Sequence, residues 1–181
     1  MNYDENSIVT EALGVIVNHY GMQKTARSGV PLINHIIEGL IIMNKIGSSE
    51  EAQAAWCLHP MMQSDADLMA NYYVVSNLVD TETMMYVMEY RNCANAYLMP
   101  DMHSRTLPSI PMHQVRQMLV ADKIQNRKDF MLHHKGTHPH SDDLEKYFDE
   151  WCKHLGLTDQ RRDELTKLIS EDLNEREEHN V

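Results

Sequence analysis

Apolar residues recur at three- and four-residue steps along most of this chain, which is the spacing of one face of an α-helix. Near the amino terminus, Ile8, Ala12 and Val15 follow this spacing, and residues 33–46 carry an isoleucine-rich stripe wide enough to be mostly core. No stretch alternates apolar and polar residues as a half-buried β-strand does. The pattern predicts an all-α protein with helices at residues 7–22, 31–46, 50–59, 65–79, 81–91, 111–131, 141–155 and 158–174.

The length and the charge of the chain limit its organisation and its partners. Its 181 residues predict a single domain, residues 1–181, large enough to bury a core and ending in a charged tail at residues 175–181. The formal net charge of −11 gives no overall attraction to nucleic acid. Basic residues cluster at residues 116–128 and 153–167, but acidic residues are interleaved with them, which is typical of solvated helix faces. We therefore expect no nucleic-acid partner.

The cysteines and the apolar segments bear on the compartment. Cys57, Cys93 and Cys152 are odd in number and far apart, and no two have the CxxC spacing of a zinc site. This argues against a disulfide framework and for a reducing environment. No segment reaches the roughly 18 apolar residues of a membrane span, and residues 1–10 are acidic rather than signal-like. We expect a soluble, cytoplasmic protein without a membrane partner.

One histidine stands out by its position at the end of a helix. Residues 54–58 are small or apolar, and His59 follows them directly. Pro60 comes next, and a proline disfavours helical backbone at the residue before it. His59 is therefore predicted to lie at a helix end, where a ligand would face a buried cavity.

Two further segments share features with the segment around His59. Residues 27–35 contain an Arg-x-Gly-x-Pro-x-Ile-x-His pattern, and residues 120–126 read Val-Ala-Asp-Lys-Ile-Gln-Asn. In order and in separation, the three segments resemble those of the HD-domain phosphohydrolases, and among them the hydrolase domain of the RelA/SpoT family and its small alarmone hydrolases. The resemblance implies an HD-domain-like helical bundle.

The resemblance also implies a metal site. In that family two histidines and two aspartates hold one divalent metal, commonly manganese. His35, His59 and Asp122 match three of these ligands, and Pro60, which has no donor atom, stands at the fourth. Two imidazoles and one carboxylate can still hold a divalent metal with open positions, at lower affinity because a negative ligand is missing.

A nucleotide-binding role follows from the same comparison. Arg27 matches the family residue that lies over a guanine ring, and Asn126 matches the residue that contacts the nucleoside. Lys123, next to the predicted metal ligand Asp122, is placed to meet phosphate. The implied partner is a phosphorylated nucleotide, such as a guanosine alarmone.

Catalysis is where the chain departs from the family. Gln63 and Ser64 replace the Glu-Asp pair with which family enzymes activate water to split a 3′-pyrophosphate. The loss of such a base typically reduces the rate by about 10²–10⁴. Asp65 and Asp67, five and seven residues beyond Pro60, are the candidates to replace it or to complete the metal site.

Three functions therefore stay open. The first is a metal-dependent (pyro)phosphohydrolase that resembles the enzymes acting on (p)ppGpp. The second is a catalytically inactive module that binds a nucleotide or a protein. The third, a structural helical adaptor, leaves the matches around His35 and Asp122 unexplained.

Overall fold

The structure of the chain, a computed structural model, describes residues 4, 7–26, 28–96 and 107–178. Within these residues it consists of eight α-helices and one short 3-10 helix. The α-helices are α1 (Ile8–Tyr20), α2 (Ile33–Lys45), α3 (Glu50–Leu58), α4 (Asp65–Leu78), α5 (Thr81–Ala96), α6 (His113–His133), α7 (Ser141–His154) and α8 (Asp159–Glu178). The 3-10 helix, His59–Met62, directly follows α3.

Serine side chains cap the amino-terminal ends of three of these helices. The Ser7 hydroxyl accepts a hydrogen bond from the Thr10 amide at the start of α1, and Ser49 does the same for Ala52 in α3. Ser64 caps α4 by accepting from the Asp67 amide at 3.0 Å. Such caps satisfy amides that have no partner inside the helix.

Helix α3 lies at the centre of the fold. All its residues from Ala52 to Leu58 are buried, and it packs against α1, α2, α5 and α6. Alanines at positions 52, 54 and 55 leave room for neighbouring helices to approach closely. Helix α6, the longest, also packs against α2, α5, α7 and α8. The end of α3 and the middle of α6 are thereby held next to α2.

The prediction of an all-α protein is confirmed, since the described residues form helices and no strand. The predicted end of the fifth helix at residue 91 is wrong, because α5 continues to Ala96. Helix α8 likewise runs to Glu178, beyond the predicted end at residue 174 and into the predicted tail. Residues 97–106, which belong to the long loop predicted at residues 93–111, lie outside the described residues.

Two further observations bear on the sequence predictions. Cys57, Cys93 and Cys152 are free and buried. In the part of the chain that the structure describes, no helix is both long enough and apolar enough to cross a membrane.

Candidate metal centre

The structure brings together the three residues predicted to bind a metal. His35 comes from the first turn of α2, His59 from the start of the 3-10 helix and Asp122 from the middle of α6. The Nε2 atom of His35 lies 3.4 Å from Nε2 of His59 and 3.8 Å from Oδ1 of Asp122. One ligand atom from each residue lies within 4.8 Å of the other two.

This spacing fits a metal ion. Metal–nitrogen and metal–oxygen bonds of roughly 2.1 Å place neighbouring ligands roughly 3.0 Å apart in an octahedral and 3.4 Å apart in a tetrahedral arrangement. The distances around His35 are at or slightly above this range, so a small inward movement completes the contact. The cluster of His35, His59 and Asp122 can therefore hold a metal ion.

A hydrogen bond at one ring nitrogen of His59, Nδ1, turns the other ring nitrogen, Nε2, toward the predicted metal position. Its Nδ1 lies 2.6 Å from the Trp56 carbonyl oxygen, which can only accept, so Nδ1 carries the proton. Burial, together with the nearby His35, lowers the pKa of His59 to about 3. His59 is therefore neutral at physiological pH, and the lone pair on Nε2 faces His35.

The Trp56 indole packs against both histidines of this cluster. Its ring lies 4.5 Å from the ring of His59 and 4.9 Å from that of His35, measured between centroids. The indole N–H donates to the Ile36 carbonyl at 2.9 Å. Gly39 leaves the space that this ring occupies, since a Cβ there would lie 2.1 Å from Trp56 Cζ2. The backbone of α2 and the ring that supports both histidines are thus in direct contact.

Asp122 is ionised although it is buried. Lys123 Nζ lies 2.6 Å from its Oδ2, and the Asn126 amide donates to its Oδ1 at 2.7 Å. Burial and the nearby Asp122 carboxylate raise the pKa of the Tyr90 hydroxyl well above its ordinary value. Burial alone would raise the pKa of Asp122, but Lys123 and His35 outweigh it and hold the pKa below its ordinary value. Oδ1, which faces His35, is the oxygen available to a metal.

Lys123 is buried with its charge paired. Its ammonium donates to the Tyr147 hydroxyl at 3.0 Å and lies 4.8 Å from the centroid of the Trp151 ring. Burial would lower the pKa of Lys123, but Asp122 and Tyr147 raise it above its ordinary value. Lys123 therefore stays protonated.

The prediction of a solvated helix face at residues 116–128 is wrong for two of its lysines. Lys123 and Lys128 are each only 4% exposed. Both reach inward because a buried carboxylate meets them, Asp122 in the first case and Glu38 in the second. Charge periodicity in the sequence does not reveal such partners, because Glu38 lies on another helix.

The cluster forms part of the wall of a cavity of about 420 Å³. It is lined by residues from five α-helices, from the 3-10 helix and from the loop before α2, among them Tyr20, Thr25, Pro60, Asn126 and Tyr147. This volume lies in the range of pockets that hold small organic ligands. Lys123 and Asn126, two of the predicted nucleotide-binding residues, also line the cavity, whereas the third, Arg27, lies outside the described residues.

Residues 63–67, in the segment that departs from the HD-domain pattern, form contacts with neighbouring side chains. The Gln63 side chain donates to the Asn95 side chain, and Asn95 donates to the Gln63 carbonyl at 2.9 Å. Asp65 is exposed and forms an ion pair with Arg91. Asp67 accepts a hydrogen bond from the Ser64 hydroxyl. Neither Asp65 nor Asp67, the two candidates for a replacement base, lines the cavity.

Four residues next to the centre were missed by the sequence analysis. Gln125 contacts His35, Glu38 and Asp129, and Lys128 pairs with both of these acids. Helical spacing was the signal that could have found two of them. Glu38 follows His35 by one turn and is an acid within an apolar stripe, and Gln125 follows Asp122 by one turn.

The fold and the cluster define this chain as an all-α protein with a three-residue centre that can hold a metal ion. None of the known protein families, curated proteins or solved structures with which the chain was compared matches it.

Proposed function

We propose that this chain is an HD-like protein that binds a divalent metal ion, such as Mn²⁺, together with a phosphorylated nucleotide. The observation that carries the proposal is the convergence of His35, His59 and Asp122 at the wall of the cavity. The resemblance of the segments around these residues to the HD-domain phosphohydrolases supports the same assignment. On this proposal the chain is related in function to enzymes that hydrolyse (p)ppGpp.

When bound, such an ion supplies Lewis-acid chemistry that polarises a phosphoester and activates water. The described residues would hold and orient the reactants. Lys123 forms an ion pair with Oδ2 of Asp122, and Oδ1 is the oxygen that faces His35. Asn126 fixes the same carboxylate from the neighbouring turn of α6 and faces the cavity, where its amide can meet a nucleoside.

The cavity favours a ligand with both polar and aromatic surfaces. Its lining includes the aromatic residues Tyr20 and Tyr147 and the apolar residues Val30 and Pro31, and Thr25 and Asn126 add hydrogen-bonding groups. A nucleoside has such a mixed surface, and its phosphate groups would approach the metal position. These properties support a phosphorylated nucleotide, with a guanosine alarmone as the first candidate.

Binding without turnover is a second candidate, and one observation favours it. Among the described residues that line the cavity, two carry a carboxylate, Asp122 and Asp129. Asp129 accepts from Gln125 at 2.8 Å, and its other oxygen lies 3.1 Å from Lys128 Nζ. Both oxygens of Asp129 thus already lie next to a donor or a cation, which favours a structural role over the activation of water.

Calorimetric titration with Mn²⁺ and ppGpp, followed by product analysis of the same sample, tests the proposal. We expect Mn²⁺ binding that His59→Ala abolishes and that His19→Ala, a change of an exposed histidine in α1, leaves intact. Nucleotide binding with products supports the hydrolase, and binding without products supports the inactive module. Equal Mn²⁺ binding by His59→Ala and the wild type would overturn the metal assignment.

A further inference from the structure

The side-chain amide of Gln125 has its orientation fixed by two acids. Its Nε2 donates to Asp129 Oδ2 at 2.8 Å and to Glu38 Oε2 at 3.2 Å. With the amide reversed, its carbonyl oxygen would face two carboxylates, and no hydrogen bond would form at either. The carbonyl oxygen of Gln125 therefore points to the opposite side, toward His35.

This orientation determines where His35 carries its proton. The distance from Gln125 Oε1 to Nδ1 of His35 is 2.6 Å. Because an amide oxygen only accepts, Nδ1 of His35 must donate. In the neutral ring the proton is then on Nδ1, and Nε2 presents a lone pair. That lone pair faces Nε2 of His59, whose own proton lies on the side of Trp56.

The two acids are themselves held in place. Glu38 is 2% exposed, and Lys128 donates to both of its oxygens, at 2.6 and 2.7 Å. The same ammonium lies 3.1 Å from Asp129 Oδ1. Helix α2 provides Glu38 and His35, and α6 provides the other three residues. The packing of these two helices therefore maintains the whole chain of contacts.

We propose that Gln125, oriented by Glu38 and Asp129, is a positioning residue that locks His35 in the Nδ1-protonated tautomer. When both imidazoles are neutral, their unprotonated Nε2 atoms face each other at 3.4 Å, where no hydrogen bond can join them. A cation between them removes this repulsion, so the centre is prepared for a metal before one arrives. This inference deepens the proposed metal binding and rests on it for its functional consequence.

Nitrogen-15 NMR of the metal-free wild type tests the tautomer directly. The spectra are recorded in chelator at mildly alkaline pH, where an ordinary histidine is neutral. We expect the ring signals of His35 to show a protonated Nδ1 and an unprotonated Nε2. A protonated Nε2 on His35 would overturn the inference, whatever the metal affinity is, and this measurement needs no substitution.

Gln125→Met tests the role of the amide, since methionine has a similar length but accepts no comparable hydrogen bond. We expect the His35 tautomers to become mixed and the Mn²⁺ affinity to fall by roughly 10–100-fold, as for other residues that orient a metal-bound histidine. Gln117→Met is the matched control, because Gln117 is also buried in α6 but contacts the Ile46 carbonyl instead. The control should change neither property.

The outcomes separate this inference from the proposed function. If the wild type binds no metal while His35 has the expected tautomer and loses it in Gln125→Met, the proposed function fails and the positioning role stands. If the wild type binds Mn²⁺ and Gln125→Met neither weakens it nor alters the tautomer, the positioning role fails alone.

Discussion

Gly39 shows how a residue that is not itself a ligand can control the geometry of the metal centre. A side chain there would collide with the Trp56 ring, since its Cβ would lie 2.1 Å from Cζ2. The ring cannot retreat easily, because it is fully buried and its N–H is bonded to the Ile36 carbonyl. Both histidines of the centre lie against this ring. The absence of a side chain at Gly39 is therefore a requirement of the site as well as of the core.

Gly39→Ala should lower the free energy of unfolding by about 1–3 kcal/mol, because overpacking of a core has that effect. Gly14→Ala is the matched control: Gly14 is also inside a helix, but its Cβ would meet nothing within 4 Å. The control should raise the free energy of unfolding by roughly 0.5–1 kcal/mol, since alanine favours a helix interior over glycine. Urea unfolding followed by circular dichroism measures both, and equal effects of the two variants would contradict this account.

At the scale of elements, the 3-10 helix His59–Met62 determines how the centre is completed. It places His59 against Tyr90, with 4.7 Å between ring centroids, and leaves Pro60 at the wall of the cavity. Pro60 offers no oxygen where an aspartate would bring a second carboxylate next to His59. Pro60 therefore lies next to His59 at the cavity wall without a side-chain atom that could bind a metal.

Pro60→Asp is expected to raise the affinity for Mn²⁺, because it adds a negative oxygen ligand beside His59. The gain should at least equal the roughly 10–100-fold effect of residues that only orient a ligand. Pro60→Asn is the control for the release of the backbone from proline, because the asparagine side chain has the shape of aspartate without its charge. Calorimetric titration of both variants decides the matter: no gain for Pro60→Asp would mean that its side chain does not reach the metal position.

Much of this arrangement is predictable from local signals. The proline after His59 predicts the end of α3, and the residues that cap α1, α3 and α4 in the structure are serines, which are common at that position. The burial of Lys128 was not predictable in this way. It depends on Glu38, which only the packing of α2 against α6 brings to it. Gln125 was missed for a similar reason, because a polar residue next to a predicted ligand shows its role only when its acceptors are known.

At the scale of the whole molecule, the neutral state of His59 makes stability depend on pH. The pKa of this group is lowered from 6.5 to about 3 in the folded protein by burial and by the nearby His35. Between these two values the unfolded chain binds a proton at His59 and the folded protein does not. The free energy of unfolding should therefore be unaffected above pH 6.5 and should fall as the pH decreases from 6.5 toward 3.

Urea unfolding in chelator between about pH 7 and about pH 5 measures this dependence, because most carboxylates stay ionised there. His59 should contribute a slope of up to about 1.4 kcal/mol per pH unit below its unfolded pKa. His59→Leu should lose this contribution, and His19→Leu, at an exposed position, should keep it. If His59→Leu and the wild type have the same slope, His59 is not held neutral by burial.

The three ligands of the centre are far apart along the chain, in α2, in the 3-10 helix and in α6. An ion bound to all three is consequently a cross-link, and it closes two successive loops of the polypeptide, one through α3 and one through α4 and α5. Helices α1, α7 and α8 lie outside both loops. Metal binding would therefore cross-link the segment from His35 to Asp122, whereas α1, α7 and α8 would be held to it by packing alone.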